Sequence, residues 1–544
     1  MTNNQPLAAQ LLTRRSFLAA SASLGMLSAV NPAAAQANSR LRIAISLLDL
    51  PRLWGSPDGG FEGLRFGGYP VFDALINWDL QNENSARLTP GLATSWQVDP
   101  ADKRRWIVEL RTNAVFHDGS RFDADAAKWN FDSILDSKAP QYDPTRAAMT
   151  RPRIPSIVRV AKLGASTVSI MTESPDAMTP YQLSFALMVS PSQFSSVGND
   201  WQKFAASPSG TGPFKVTQLV PRTRLDLARH EQYWDPPRIP RVSTLAMLPI
   251  ADANARVAAL RSGQVDFIES VPPDTIASLK SAGFKVLGNL YPHMWGWRLS
   301  TQPNSPFADL RVRRAMNLAV DREAVVQLLG GTAVPARGLV EPSSPWFGRP
   351  QFEIHYDPAE AKRLMAQAGF GGSRRLKGEV LISNSGGGQM QPLPMNELIQ
   401  ANLADIGIDI EYKVVDFITL FTAYRTGVKA PASAGISAIN LASPTQEPTS
   451  SILRGYFSEF APPRGTNWDH YADPETDRLL NAAREEFDQA AFNQAIARVH
   501  ERIVDQATSL FVVHDTNPRA LSPRLHGFVQ PRNWFADFAT ISIV

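Results

Sequence analysis

Strand-like and helix-like segments alternate along the whole chain, which predicts an α/β or mixed α+β fold divided into two or three lobes. Two further observations agree with this. The chain has 544 residues, more than one hydrophobic core organises. Its 42 prolines suit many short connections between elements, and no short-period repeat or low-complexity tract is present.

The first element is a targeting segment. Thr13-Arg14-Arg15-Ser16-Phe17-Leu18 sets two arginines before an apolar run from Phe17 to Val30, and Ala35-Gln36-Ala37 supplies a small-x-small cleavage pattern. Residues 1–37 therefore read as a removable signal, too short to span a bilayer. The arginine pair points to twin-arginine export of a folded protein, with an ordinary Sec signal as the alternative. The mature chain is expected to start at Asn38 and to work as a soluble protein in the periplasm. The chain has no cysteine, so a lipid anchor, a disulfide, a thiolate metal site and a cysteine nucleophile are all ruled out.

Leu41 to Ile45 alternates as the first strand, followed by a Gly/Pro-rich loop over 51–70. Trp106 to Arg111 is a strand, and Phe116 to Ser120 a turn in which Gly119 tolerates positive φ. Asp123 or Asp125 caps a helix running from Ala126 to Leu135. Val168 to Met171 is a strand. Gly210-Thr211-Gly212-Pro213 is a tight turn into another, with Leu225 to Leu227 as its partner. Arg256 to Leu260 is a helix stopped by Ser262-Gly263, and Val265 to Phe267 is a strand. The second half is richer in helices. Leu310 to Leu329 reads as one amphipathic helix, Pro358 to Ala368 as another opened by Asp357, and Met395 to Ile406 as a third before the strand Ile408 to Tyr412.

The net charge is +3, and removing residues 1–37, which hold two arginines and no acid, leaves +1. A nearly neutral surface gives no reason to invoke nucleic acid or an anionic membrane. No phosphate-binding loop, zinc-protease helix or nucleophile elbow occurs. Gly210-Thr211-Gly212 lacks the third glycine of a dinucleotide loop, and the eight histidines show no metal-ligand spacing. No catalytic residue, metal site or cofactor is expected. Export, several lobes and no visible chemistry point to binding.

Several segments together resemble family 5 of the extracytoplasmic solute-binding proteins, the receptors of ABC importers for dipeptides, oligopeptides, nickel and related solutes. They are Leu88-Thr89-Pro90-Gly91-Leu92-Ala93-Thr94-Ser95-Trp96, the block Trp106 to Phe122, Gly210 to Phe214 with Tyr233-Trp234, and Gly263-Gln264-Val265-Asp266. Pro306 to Ala315 with Asp321-Arg322, Tyr356-Asp357-Pro358 to Phe370, and Ile406-Gly407-Ile408 extend the match in order along the chain.

The resemblance implies a two-lobed periplasmic-binding-protein fold with a hinge. Lobe I is expected over 38–290 plus 510–544, with a subdomain at about 75–205, and lobe II over 291–509. It also implies a monomer that closes on a small-molecule ligand and meets an ABC permease and ATPase in the inner membrane. Ligand-facing candidates are Tyr69, Trp129, Trp295, Trp297, Leu441, Ala442 and Pro444. For Trp129, Trp295 and Trp297 the competing expectation is the core. Glu447-Pro448-Thr449-Ser450 matches an acid-proline element of peptide-binding relatives and puts Pro444 where their ammonium-binding aspartate stands. An upstream arginine is replaced by Ala438. Proline accepts no charge, so an ordinary peptide is disfavoured. Other peptide-like solutes, opines and glycosides stay open, as does a metal chelate held by Arg298; the alternatives from other classes are a secreted hydrolase and a solute-sensing regulator.

Overall fold

A computed structural model describes Met1 and residues 39–544 apart from Gly59, Gly60, Ser85 and Gly387, so the signal segment and Asn38 lie outside the described residues. Two large sheets organise the chain. The first has seven strands in the order Lys285–Leu287, Arg519–Leu521, Phe267–Ile268, Arg40–Ile45, Thr244–Pro249, Arg224–Arg229, Phe214–Val220. The second has six: Ala333–Pro335, Ser509–Asp515, His293–Leu299, Ala438–Pro444, Leu376–Ser383, Ile408–Val415. A four-stranded antiparallel sheet, Ala93–Asp99, Asp102–Leu110, Thr167–Thr172 and Ile157–Lys162 in spatial order, is inserted in the first lobe.

Each sheet carries its own core. Leu41, Ile43, Phe214, Leu227 and Leu245 belong to that of the first lobe. Trp295, Trp297, Met316, Ile399 and Val512 belong to that of the second. The alternation read in Leu41 to Ile45 is that of an interior strand paired in parallel on both sides, with Thr244–Pro249 and Phe267–Ile268. Such a strand is covered on both faces, which is why its apolar character is nearly continuous.

Two corrections to the sequence reading follow. Ser509–Asp515 lies inside the second sheet, paired with His293–Leu299 and Ala333–Pro335, so residues 510–515 do not return to the first sheet. The chain crosses back only at Thr516 to Pro518, just before the strand Arg519–Leu521. The reason is burial: all seven residues of Ser509–Asp515 are buried, as a central strand requires. Second, the segment 310–329 is two helices, Leu310–Ala319 and Arg322–Leu328. Val320 is extended (φ −83°, ψ 119°), and Asp321 starts a new helix by accepting from the Ala324 amide at 3.0 Å.

The chain passes between the sheets twice, at 288–292 and at 516–518, and the two crossings are hydrogen-bonded to each other. Asn289 N donates to Thr516 O at 3.1 Å and Tyr291 N to Asp515 O at 2.8 Å.

Candidate functional site

In both sheets the C-terminal ends of parallel strands point toward the space between the lobes. Ser46 and Glu269 follow Arg40–Ile45 and Phe267–Ile268 in the first, and Leu376–Ser383 and Ala438–Pro444 end there in the second. Open α/β sheets commonly bind ligands at such ends.

A chain of ring and cation contacts crosses this seam. The Arg153 guanidinium stands 4.8 Å over the Phe61 ring. Phe61 lies 5.6 Å from Trp534, and Trp534 lies 4.1 Å from His293. The first three belong to the first lobe, while His293 opens the strand His293–Leu299 of the second and pairs with Pro444. Gly388 passes directly over this histidine: a Cβ there would meet the His293 ring at 2.0 Å. Only glycine permits that approach.

The lobes also touch at the outer edge. Tyr181 packs on Trp346 (6.3 Å) and Phe492 (6.4 Å), Ala177 N donates to Arg484 O at 2.8 Å, and Arg532 pairs with Glu341 at 2.5 Å.

Its chemistry is polar and poorly satisfied from within the protein. Among the described residues, both ring nitrogens of His293, Nε1 of Trp534, Oγ1 of Thr445, both amide atoms of Gln446, and Nε of Arg454 are buried and make no hydrogen bond. Each such group costs about 1–3 kcal/mol. The neutral state of His293 follows from burial, which drives its pKa well below the ordinary histidine value, with the charge of Arg65 adding to the effect.

The acids nearby are already engaged. Glu269 binds Ser46 N at 2.8 Å and forms a very short ion pair with Arg65, which also meets Glu62 at 3.5 Å. Glu447 accepts from Thr449 N at 2.6 Å and Ser450 N at 2.7 Å. It therefore caps the turn behind Pro448 and does not replace an aspartate at 444. Burial raises its pKa.

The expected site residues divide into three groups. Ala442 and Pro444 lie at the seam beside His293 and Gly388. Trp295 and Trp297 do share a face, and that face is the core of the second lobe; both are fully buried, with Nε1 donating to Gln389 at 3.1 Å and to Asn396 at 2.8 Å. Leu441 packs with Leu420 and Trp468 in a satellite core. Tyr69 is buried against Phe535 at 4.6 Å and donates to Ser184 O. Trp129 packs on Phe194 (5.3 Å) and Trp201 (5.9 Å) within the first lobe. Arg298 is held between Ser443 and the Tyr456 ring, 4.3 Å away. Sequence reasoning missed Phe61, Arg153, His293, Arg454 and Trp534, which come from five separate segments and share no motif.

Two lobes joined by paired crossings, with an unsatisfied polar seam between them, define a clamp-type binding protein. The model of the bacterial extracellular solute-binding proteins, family 5 middle, matches residues 87–433, and the chain belongs to that family. It is 26% identical over 518 residues to the probable di/tripeptide-binding protein 5 of Pseudomonas aeruginosa (strain UCBPP-PA14), covering 90% of this chain and 94% of that one. Among solved structures it resembles the dipeptide-binding protein of Pseudoalteromonas sp. SM9913 in complex with Met-Leu. The TM-score there is 0.78 at 19% identity, over 93% of this chain and 100% of that one. It also resembles the PBP AgaA of A. tumefaciens R10 in complex with agropinic acid, with TM-score 0.74 and 20% identity over 93% and 99% of the two chains.

Proposed function

We propose that this protein is the periplasmic receptor of an ABC importer, which encloses a small organic solute between its lobes and presents the closed form to a permease and its ATPase. The observation that carries the reading is the row of buried, unpartnered polar groups along the inter-lobe seam, since a bound solute supplies the missing partners. Closure couples capture to delivery, because a permease that favours the closed form draws on the same equilibrium that the solute shifts. The protein acts as an exported monomer and makes no product.

The di/tripeptide-binding name of the relative supports peptides, and the opine complex of the structural neighbour supports an acidic non-peptide. Within this chain, Pro444 and the engaged Glu447 leave a peptide ammonium without a carboxylate, which favours the second class. The test is small-angle scattering of the exported protein with and without the solute that co-purifies with it, identified by native mass spectrometry. The expected outcome is a smaller radius of gyration and a concentration-dependent rise in Tm with solute. A radius unchanged by every bound solute, or turnover of the solute, would overturn the reading.

A further inference from the structure

Three arginines stand on segments that meet between the lobes. Ser156, just after Arg153, bonds Asp176, which accepts from Met178 N at 3.0 Å. Met178 shares a buried cluster with Ile452 and Leu453, next to Arg454. Arg153 stands on the short turn Arg151–Arg153 after the helix Pro144–Thr150. It is buried, with Nη1 donating to Met149 O at 2.6 Å and its guanidinium over Phe61. From the second lobe, Arg454 opens the helix Arg454–Tyr456 and carries a buried Nε with no hydrogen-bond partner among the described residues. Arg425, near the end of the helix Phe417–Thr426, is exposed.

These side chains feel one another. Burial lowers the pKa of Arg153 and the charges of Arg454 and Arg425 lower it further. Burial lowers that of Arg454, which Arg425 also opposes while Tyr424 and Glu447 act the other way. Among the described residues neither Arg454 nor Arg425 makes an ion pair, whereas other arginines of the same region do, such as Arg464 with Glu173 and Arg484 with Asp176. The one acid acting on Arg454, Glu447, spends both oxygens on backbone amides.

We propose that the solute is anionic, and that a carboxylate or phosphoryl oxyanion on it is held between Arg153 of the first lobe and Arg454, assisted by Arg425, of the second. Guanidinium groups bind either oxyanion in bidentate geometry. With no anion between them, cations on opposite walls repel, and closure works against that repulsion. An oxyanion turns the same charges into a bridge, so the charge of the solute sets whether the lobes stay shut. The inference rests on the reading that the seam is the solute site, and it adds the chemical class.

The test uses the exported chain freed of bound solute and three probes at constant ionic strength: inorganic phosphate, succinate and neutral succinamide. At millimolar concentration phosphate or succinate is expected to raise Tm by several degrees and to contract the radius of gyration, while succinamide does neither; the stronger of the two anions tells phosphoryl from carboxylate. Arg454→Gln should weaken the response at least tenfold, and Arg425→Gln, on an exposed helix face, by a smaller factor with folding intact. Arg478→Gln, whose guanidinium pairs with Glu475 on the same exposed helix face, should leave it unchanged. Without probe, Arg454→Gln should be more compact than the wild type. Anions acting no better than succinamide, or both variants responding like the wild type, would overturn the proposal. A neutral or cationic co-purified solute that contracts the protein would sink the anion inference and leave the receptor reading standing.

Discussion

At the scale of single residues, the structure separates aromatic rings that build cores from those that meet the seam. Trp129 stacks within a group formed by Phe194 and Trp201, the latter also covered by the Arg146 guanidinium at 3.5 Å. Trp129→Ala is therefore expected to lower the unfolding free energy by about 2 kcal/mol in urea titration, less than the cost for a fully buried ring. The solute-induced rise in Tm should persist, because the ring is engaged with Phe194 and Trp201 inside the first lobe. Sequence pattern could say that Trp295 and Trp297 share a side of one strand. Which side faces Met316 and Ile399 is decided by the layer packed on the sheet, and no local signal carries that. Pro444 was singled out by the nearby Glu447-Pro448 pair, and it lies opposite His293 in the second sheet.

Elements were legible where a capping residue announced them. Asp123 accepts from Ala126 N at 2.9 Å and Asp357 from Glu360 N at 2.9 Å. Gly119 sits at φ 87° in its turn. The segment 310–329 misled because its apolar spacing runs on through Val320 while Asp321 resets the helix. Asp321→Ala removes that cap and should cost about 1 kcal/mol in chemical denaturation. The strand Ser509–Asp515 misled for another reason: a fully buried strand has no alternation to mark its lobe. The seam itself was the least legible feature, since Phe61, Arg153, His293, Arg454 and Trp534 are brought together only by the folding of the whole chain.

For the molecule as a whole, buried histidines set the response to acid. Burial pushes His514 down to about 3 and His500 down to about 4. The neutral ring of His500 is fixed by Nδ1 donating to Phe347 O at 2.7 Å while Nε2 accepts from the amides of Leu339 and Val340. An unfolded histidine titrates near 6.5. Between that value and the folded ones the unfolded state binds more protons, so this contribution is complete above about pH 6.5 and is lost as pH falls toward 4 and 3. Thermal melts should show Tm dropping steadily from pH 7 to pH 4, and His514→Gln should flatten that slope. A variant whose Tm falls as steeply as the wild type would show that His514 is not the group responsible.

The paired crossings at 288–292 and 516–518 have one more implication. Because the outgoing and returning strands leave the first lobe side by side, everything from Pro292 to Asp515 hangs from a single doorway. Topologically it is a cassette: evolution can exchange or reshape that half, and with it one wall of the recognition surface, without rethreading the half that carries both ends of the sheet-forming chain.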